Sequence, residues 1–182
     1  MSTKKYFIAI VIPEPFQSEI MAFKQLLKDK YDSKAALRSP AHITLHMPFE
    51  WKEEKENILI NTLQQFYFPK EFIIELKDFS CFNQRVIFVD IIKNELLTEL
   101  QNNLVSYVKS NLHLFNQVND MRGFHPHITI AFRDLKKTNF YEAFASLKEQ
   151  KYKASFAINR FWLLKHTGKE WQQYEEFIFD RD

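Results

Sequence analysis

Glycine is nearly missing from this chain: there are two in 182 residues, Gly123 and Gly168. Neither a G-x-G-x-x-G dinucleotide turn nor a G-x-x-x-x-G-K-[ST] phosphate loop can be written with that pair, which argues against a nucleotide held in a glycine-rich loop. Cysteine is scarcer still. The single Cys81 rules out an internal disulfide framework. Charge of one sign is also lacking, since 25 basic residues nearly balance 23 acidic ones and leave a net charge of +2. That is too little for coating long nucleic acid by charge alone, and it suits a small or end-specific phosphate ligand better. No apolar run is long: Tyr6 to Ile12 is of strand length, well short of the roughly 18 residues a membrane-crossing helix needs. The N-terminus shows no charged-apolar-small secretory pattern, so a soluble cytoplasmic protein is expected.

What is abundant is aromatic and apolar. Apolar residues make up 46% and aromatic residues 16%, with nineteen phenylalanines, the composition of a well-packed globular protein. The length predicts one compact domain over residues 1–182.

The pattern predicts alternating elements. Tyr6 to Ile12, stopped by Pro13, reads as a buried strand, and Phe16 to Lys30 as a helix with Ile20, Phe23, Leu26 and Leu27 at helical spacing. His42 to Phe49 reads as a half-buried strand, Glu53 to Phe68 as a helix and Phe72 to Phe79 as a strand. The pattern restarts near Asn83: strand Gln84 to Ile92, helix Asn94 to Leu112 with Asn94 as N-cap, strand His125 to Phe132, helix Thr138 to Glu149. A strand from Ala154 to Lys165, a turn at His166-Thr167-Gly168-Lys169 and a strand from Trp171 to Phe179 close the chain. Each half thus reads β-α-β-α-β, with one more strand at the end, as in an approximate duplication forming two lobes.

A phrase recurs at the same place in both halves: His42-Ile43-Thr44-Leu45 and, 85 residues later, His127-Ile128-Thr129-Ile130. On a strand, residues i and i+2 share a face, so each copy aims one imidazole and one hydroxyl at one side. Ile43, Leu45 and Met47, and Ile128, Ile130 and Phe132, are left for the core. Histidine titrates near neutral pH, so one imidazole can take a proton from water or a hydroxyl while the other gives one to a leaving oxygen. Thr44 and Thr129 can donate to phosphate oxygens as charge builds. These four are the candidate catalytic residues, and they need no cofactor.

With Tyr6-Phe7-Ile8-Ala9-Ile10 and Pro13, Phe124-His125-Pro126-His127-Ile128-Thr129-Ile130-Ala131 and Lys165-His166-Thr167-Gly168 through Tyr174 beside it, the twin phrase resembles the duplicated H-x-[ST]-x signature of the two-histidine phosphoesterases. The match is to the bacterial 2′-5′ RNA ligase / RNA 2′,3′-cyclic phosphodiesterase branch. The resemblance implies an α+β, bilobal, pseudo-symmetric fold with antiparallel sheets lining a central cleft and helices outside. It also implies metal-independent hydrolysis of cyclic or 2′-5′ phosphodiesters, sometimes reversible as ligation. His42 and His127 take the catalytic role by that resemblance, and Thr44 and Thr129 hold the phosphate.

Further residues extend these faces. His46 and His125 are candidate substrate contacts, Phe7 and Phe124 candidate stacking partners for a base, and Arg133 a candidate phosphate contact. Arg38, Arg122 and Lys165 offer the same charge, and Phe49 and Trp162 the same stacking, with less in their favour. His125-x-His127 is also a metal-ligand spacing, but no acidic residue alternates into either strand face to complete a hydrolytic site. His113 and His166 read as capping or surface residues and Cys81 as packing. The expected ligand is an RNA end or a small nucleotide phosphodiester, with no membrane and no obligate protein partner. Two alternatives remain: a non-catalytic module that binds RNA ends or nucleotides, and a histidine-rich metal-dependent hydrolase.

Overall fold

The computed structural model describes residues 2–116 and 123–179. Its elements run β1 (Thr3–Val11), α1 (Phe16–Tyr31), β2 (His42–Lys52), α2 (Glu56–Gln64), β3 (Phe72–Phe82), β4 (Val86–Ile91), α3 (Glu95–Leu112) and β5 (His127–Ala131). Then follow α4 (Lys137–Gln150), β6 (Lys153–Ile158), β7 (Arg160–His166) and β8 (Trp171–Ile178). Asn94 caps α3 as its sequence position predicts, its Oδ1 accepting the Leu97 N–H at 2.9 Å. Among the described residues no helix is long and apolar enough to cross a membrane.

The strands form two antiparallel sheets, ordered β2-β1-β7-β8 and β5-β4-β3-β6. Each His-Thr strand is the edge of its own sheet, next to the strand that precedes it in the chain. The helices cross over. α1 packs on β5 and α4 on β3 of the second sheet, whereas α3 packs on β2 and α2 on β8 of the first. One buried cluster accordingly takes Ile8, Ile10 and Ile43 from the first sheet, Ile74, Val89, Ile128 and Ile130 from the second, and Ile20, Leu27, Leu100 and Leu104 from helices. Full burial of such a side chain is worth about 1.5–3 kcal/mol.

Two boundaries differ from the pattern. The segment 154–165, one strand by its alternation, is broken at Asn159: β6 pairs with β3, and β7 leaves to pair with β1 in the other sheet. The turn near Asn83 does not separate lobes. Asn83 and Gln84 adopt left-handed φ of 48° and 54° at the tip of a hairpin whose strands, β3 and β4, pair in one sheet. The first sheet therefore combines β1 and β2 with the last two strands, and the lobes are not the two halves of the chain.

A third difference lies inside β2. Ala9 pairs with Thr44 but Ile8 pairs with His46, so one step on β1 matches two on β2 and the strand bulges at Leu45. Backbone groups around the bulge are met from elsewhere: Gln101 Nε2 of α3 donates to the Leu45 carbonyl at 3.3 Å, and the Met47 N–H donates to Asn116 Oδ1 at 2.9 Å. The slip turns His46 onto the core side, and a second slip between Ile8 and Tyr6 restores the phase, so that Phe49 and Trp51 pack against the core again.

Candidate functional site

The face of the first sheet turned away from the main core carries His42 opposite Val11, Thr44 opposite Ala9, and a small apolar group of Phe7, Ala9, Val11 and Leu164. The corresponding face of the second sheet carries His127 opposite Asp90 and Thr129 opposite Phe88. The edges β2 and β5 touch. A cavity of about 130 Å³ between them is lined by Thr44, His127, His125, Phe124, Phe82 and Gln101, among others.

The two imidazoles are held alike. His42 Nδ1 lies 2.8 Å from the Pro40 carbonyl and His127 Nδ1 lies 2.7 Å from the His125 carbonyl, in each case the residue two before it. A carbonyl only accepts, so Nδ1 carries the proton in both rings and the neutral form keeps its lone pair on Nε2. Aromatic walls back the rings. Phe7 lies 4.8 Å from His42 and meets Trp171 edge-on at 4.7 Å, while Phe82 and Phe88 each lie 5.0 Å from His127. His125 Nε2 is 3.6 Å from Asp90 Oδ1.

Burial pushes His42 down to about 4, and the positive charges of Lys24 and, to a smaller extent, His127 act in the same direction against the Pro40 hydrogen bond. Lys24 itself is buried on α1, its Nζ donating to the carbonyls of Ala36 and Ser39 at 3.0 Å and of Pro40 at 3.3 Å. Desolvation lowers its amine to about 7. Across from this cage, Asp134 accepts from Ser33 Oγ at 3.1 Å and from the N–H groups of Lys34 at 2.9 Å and Ala35 at 2.8 Å. The segment leading into His42 is thus tied both to α1 and to the end of the second His-Thr strand.

The expected site residues fall into two groups. His42, Thr44, His127, Thr129, His125 and Phe124 converge on the cleft or its cavity, and Phe7 stands beside His42. His46 does not share the face of His42 and Thr44, because the bulge at Leu45 rotates it onto the core side. There it is 1% exposed, Nδ1 meets the Met47 carbonyl at 2.8 Å, Nε2 has no hydrogen-bond partner among the described residues, and the ring meets Phe49 edge-on. The same slip leaves Met47, expected in the core, 44% exposed. His125 precedes β5 instead of lying on it. Arg133 takes a left-handed φ of 60° and sets its guanidinium over the neighbouring Phe132 ring at 5.1 Å. Lys165 is committed elsewhere: paired with Tyr6 on the opposite sheet face, its Nζ binds Glu56 at 2.6 Å, in a knot that includes Tyr6 and Tyr174 hydroxyls. Arg38 is exposed, and Arg122 lies outside the described residues.

Lys24, Asp134, Gln101 and the Phe82–Phe88 wall are not found by sequence reasoning. Lys24 left a signal, a lysine on the same helical stripe as Ile20 and Leu27. Among the described residues no group of three or more His, Cys, Asp or Glu is arranged to hold a metal ion.

The chain belongs to the 2′-5′ RNA ligase superfamily, whose family model matches residues 12–170. A Geobacillus kaustophilus protein provisionally named a phosphoesterase is 32% identical over 178 residues, covering 96% of this chain and 95% of its own. A second from Geobacillus sp. strain WCH70, named in the same way, is 29% identical over the same spans. Among solved structures, E. coli LigT complexed with 3′-AMP superposes with a TM-score of 0.68 at 20% identity, covering 99% of this chain and all of LigT. The TT0787 protein of Thermus thermophilus gives 0.64 at 16% identity, covering 96% of this chain and 97% of its own. These two likenesses establish the shared fold.

Proposed function

We propose that this chain is a metal-independent phosphoesterase that opens a 2′,3′-cyclic phosphate or cleaves a 2′-5′ phosphodiester of RNA or a nucleotide, and in reverse can join 2′-5′ ends. Residues 1–182 serve as one two-lobed unit. The observation that carries this reading is the matched pair of imidazoles, each fixed through Nδ1 to the carbonyl two residues back, with a threonine two residues further along each edge strand. His42, held neutral well below pH 7, acts as the base in hydrolysis. Its Nε2 takes the proton from water as the new O–P bond forms. His127 in its protonated form gives a proton to the departing ribose oxygen as the other P–O bond breaks. Joining uses the same roles with a ribose 5′-hydroxyl in place of water attacking a 2′,3′-cyclic phosphate, and the two exchange roles when the freed ribose hydroxyl reverses that step. Thr44 and Thr129 hold the non-bridging oxygens. Family membership, phosphoesterase relatives, and a fold shared with a LigT that binds 3′-AMP support the same substrate chemistry.

The test is turnover of nucleoside 2′,3′-cyclic phosphates and 2′-5′ dinucleotides by the purified protein. His42→Ala and His127→Ala should each lower kcat by at least about 10²-fold, the usual contribution of a general acid or base, while circular dichroism stays native. Undiminished turnover in both variants would sink the mechanism. Tight nucleotide binding without turnover would favour a binding module, and loss with EDTA restored by zinc a metal enzyme.

A further inference from the structure

A second cavity, of about 390 Å³, opens on the same sheet face as His42 and plays no part in the proton transfers described above. Its wall begins at Val11, the residue paired with His42, and includes Trp162, which pairs with Ala9, itself paired with Thr44. Ala9 contributes only a methyl group to this face. Thr44, Ala9 and the half-buried Trp162 thus form one row across β2, β1 and β7, with the smallest side chain in the middle.

The chemistry of the lining selects its occupant. Glu14, Arg160 and Glu176 are its charged groups, and Arg160 is ion-paired to Glu176. The wall therefore offers no spare cation to a second phosphate, and its carboxylates repel one. What it does offer is an indole, the apolar Val11 and Ile12, and the amide of Gln173, which can both donate to and accept from a base edge. Stacking on an aromatic ring with a few polar contacts at the rim is how single bases are held. The volume lies within the usual range for small-molecule sites. Phe7 and Trp171 stand toward the start of β1 and this cavity toward its end, so rings are available on both sides of the His42–Thr44 pair.

We infer that the Trp162 cavity is a nucleoside subsite for the partner across the reacting phosphate, so that the preferred substrate carries a nucleoside on each side of the linkage. This rests on the proposed function, and narrows it toward 2′-5′-linked dinucleotides or RNA over mononucleoside cyclic phosphates. Kinetics of the wild type, Trp162→Ala and Trp162→Phe on a 2′-5′-linked dinucleoside monophosphate and on adenosine 2′,3′-cyclic phosphate test it. Trp162→Ala should lower kcat/KM for the dinucleotide by about tenfold, in line with the loss of one stacked base, and leave the cyclic mononucleotide unchanged. Trp162→Phe, which keeps a stacking ring, should restore most of the loss. An equal loss on both substrates, or none on the dinucleotide, would overturn the subsite. Wild-type turnover of the cyclic phosphate alone would overturn it too and leave the proposed function standing. Turnover of neither would overturn the proposed function, and the subsite would then be decided by quenching of indole fluorescence with adenosine: quenching in the wild type that is lost in Trp162→Ala supports it, and its absence removes it.

Discussion

Lys24 and His42 hold the same atom. The Pro40 carbonyl oxygen accepts from the lysine Nζ at 3.3 Å and from the imidazole Nδ1 at 2.8 Å, so a cation on α1 and the candidate base at the start of β2 meet through one peptide group.

Removing that cation should be visible in a pH profile. His42 is held near 4 in part by the Lys24 charge, so its base form persists as the medium is acidified. In Lys24→Met the ring regains basicity and is protonated at higher pH, and the acid limb of kcat/KM moves up toward the ordinary histidine range of about 6.5. Three carbonyls also lose a donor, which should lower unfolding free energy by about 2–4 kcal/mol in urea titrations. An unmoved acid limb in a folded Lys24→Met would separate Lys24 from the chemistry.

The threonines should act on the transition state and little on binding. Thr44→Val and Thr129→Val keep the side-chain shape and delete a donor, so each should cost about 10²-fold in kcat with KM nearly constant. A rise in KM at constant kcat would instead make them ordinary binding contacts.

His46 should be dispensable for turnover. Its burial lowers the folded-state basicity, so between the unfolded value of about 6.5 and the lower folded value the unfolded chain holds the extra proton, and stability falls as pH drops through that window. His46→Leu removes both this proton and the partnerless Nε2. It should raise stability at neutral pH by about 1 kcal/mol, flatten the acid side of the stability curve, and leave kcat unchanged. A large fall in kcat would put His46 back among the functional groups.

Asp134→Ala should act at a distance. The variant frees the N–H groups of Lys34 and Ala35 and loosens the segment that ends in Pro40. The expected result is a loss of about 1–2 kcal/mol in stability and a fall in kcat at constant KM, read from denaturation and steady-state kinetics. Wild-type kinetics would show that α1 alone positions the loop.

Much of this is legible in the chain because alternation and helical spacing are local. β1, α1, β4, α3 and the two His-Thr phrases all follow from residues a few positions apart, and the Asn94 cap from a single side chain. The failures lie where distant partners decide. Nothing near Leu45 announces a bulge that is completed by Gln101 on α3, so simple alternation puts His46 on the wrong face. The exchange of sheets at Asn159 is likewise invisible to a pattern that stays apolar across the break. A lysine among core positions of α1 is legible, but its meaning depends on carbonyls 12 to 16 residues away.

That exchange of sheets has a consequence for how the molecule comes into being. β1 sits between β2 and β7, so it must wait for a partner more than 150 residues later before its sheet is complete. Pairings of such long range are formed late and slowly. Trp162 and Trp171 arrive with or after that strand. On the ribosome the face that carries His42 lacks two of its four strands until residues 160–178 have emerged, so its two indole rings are among the last of its side chains to take their places.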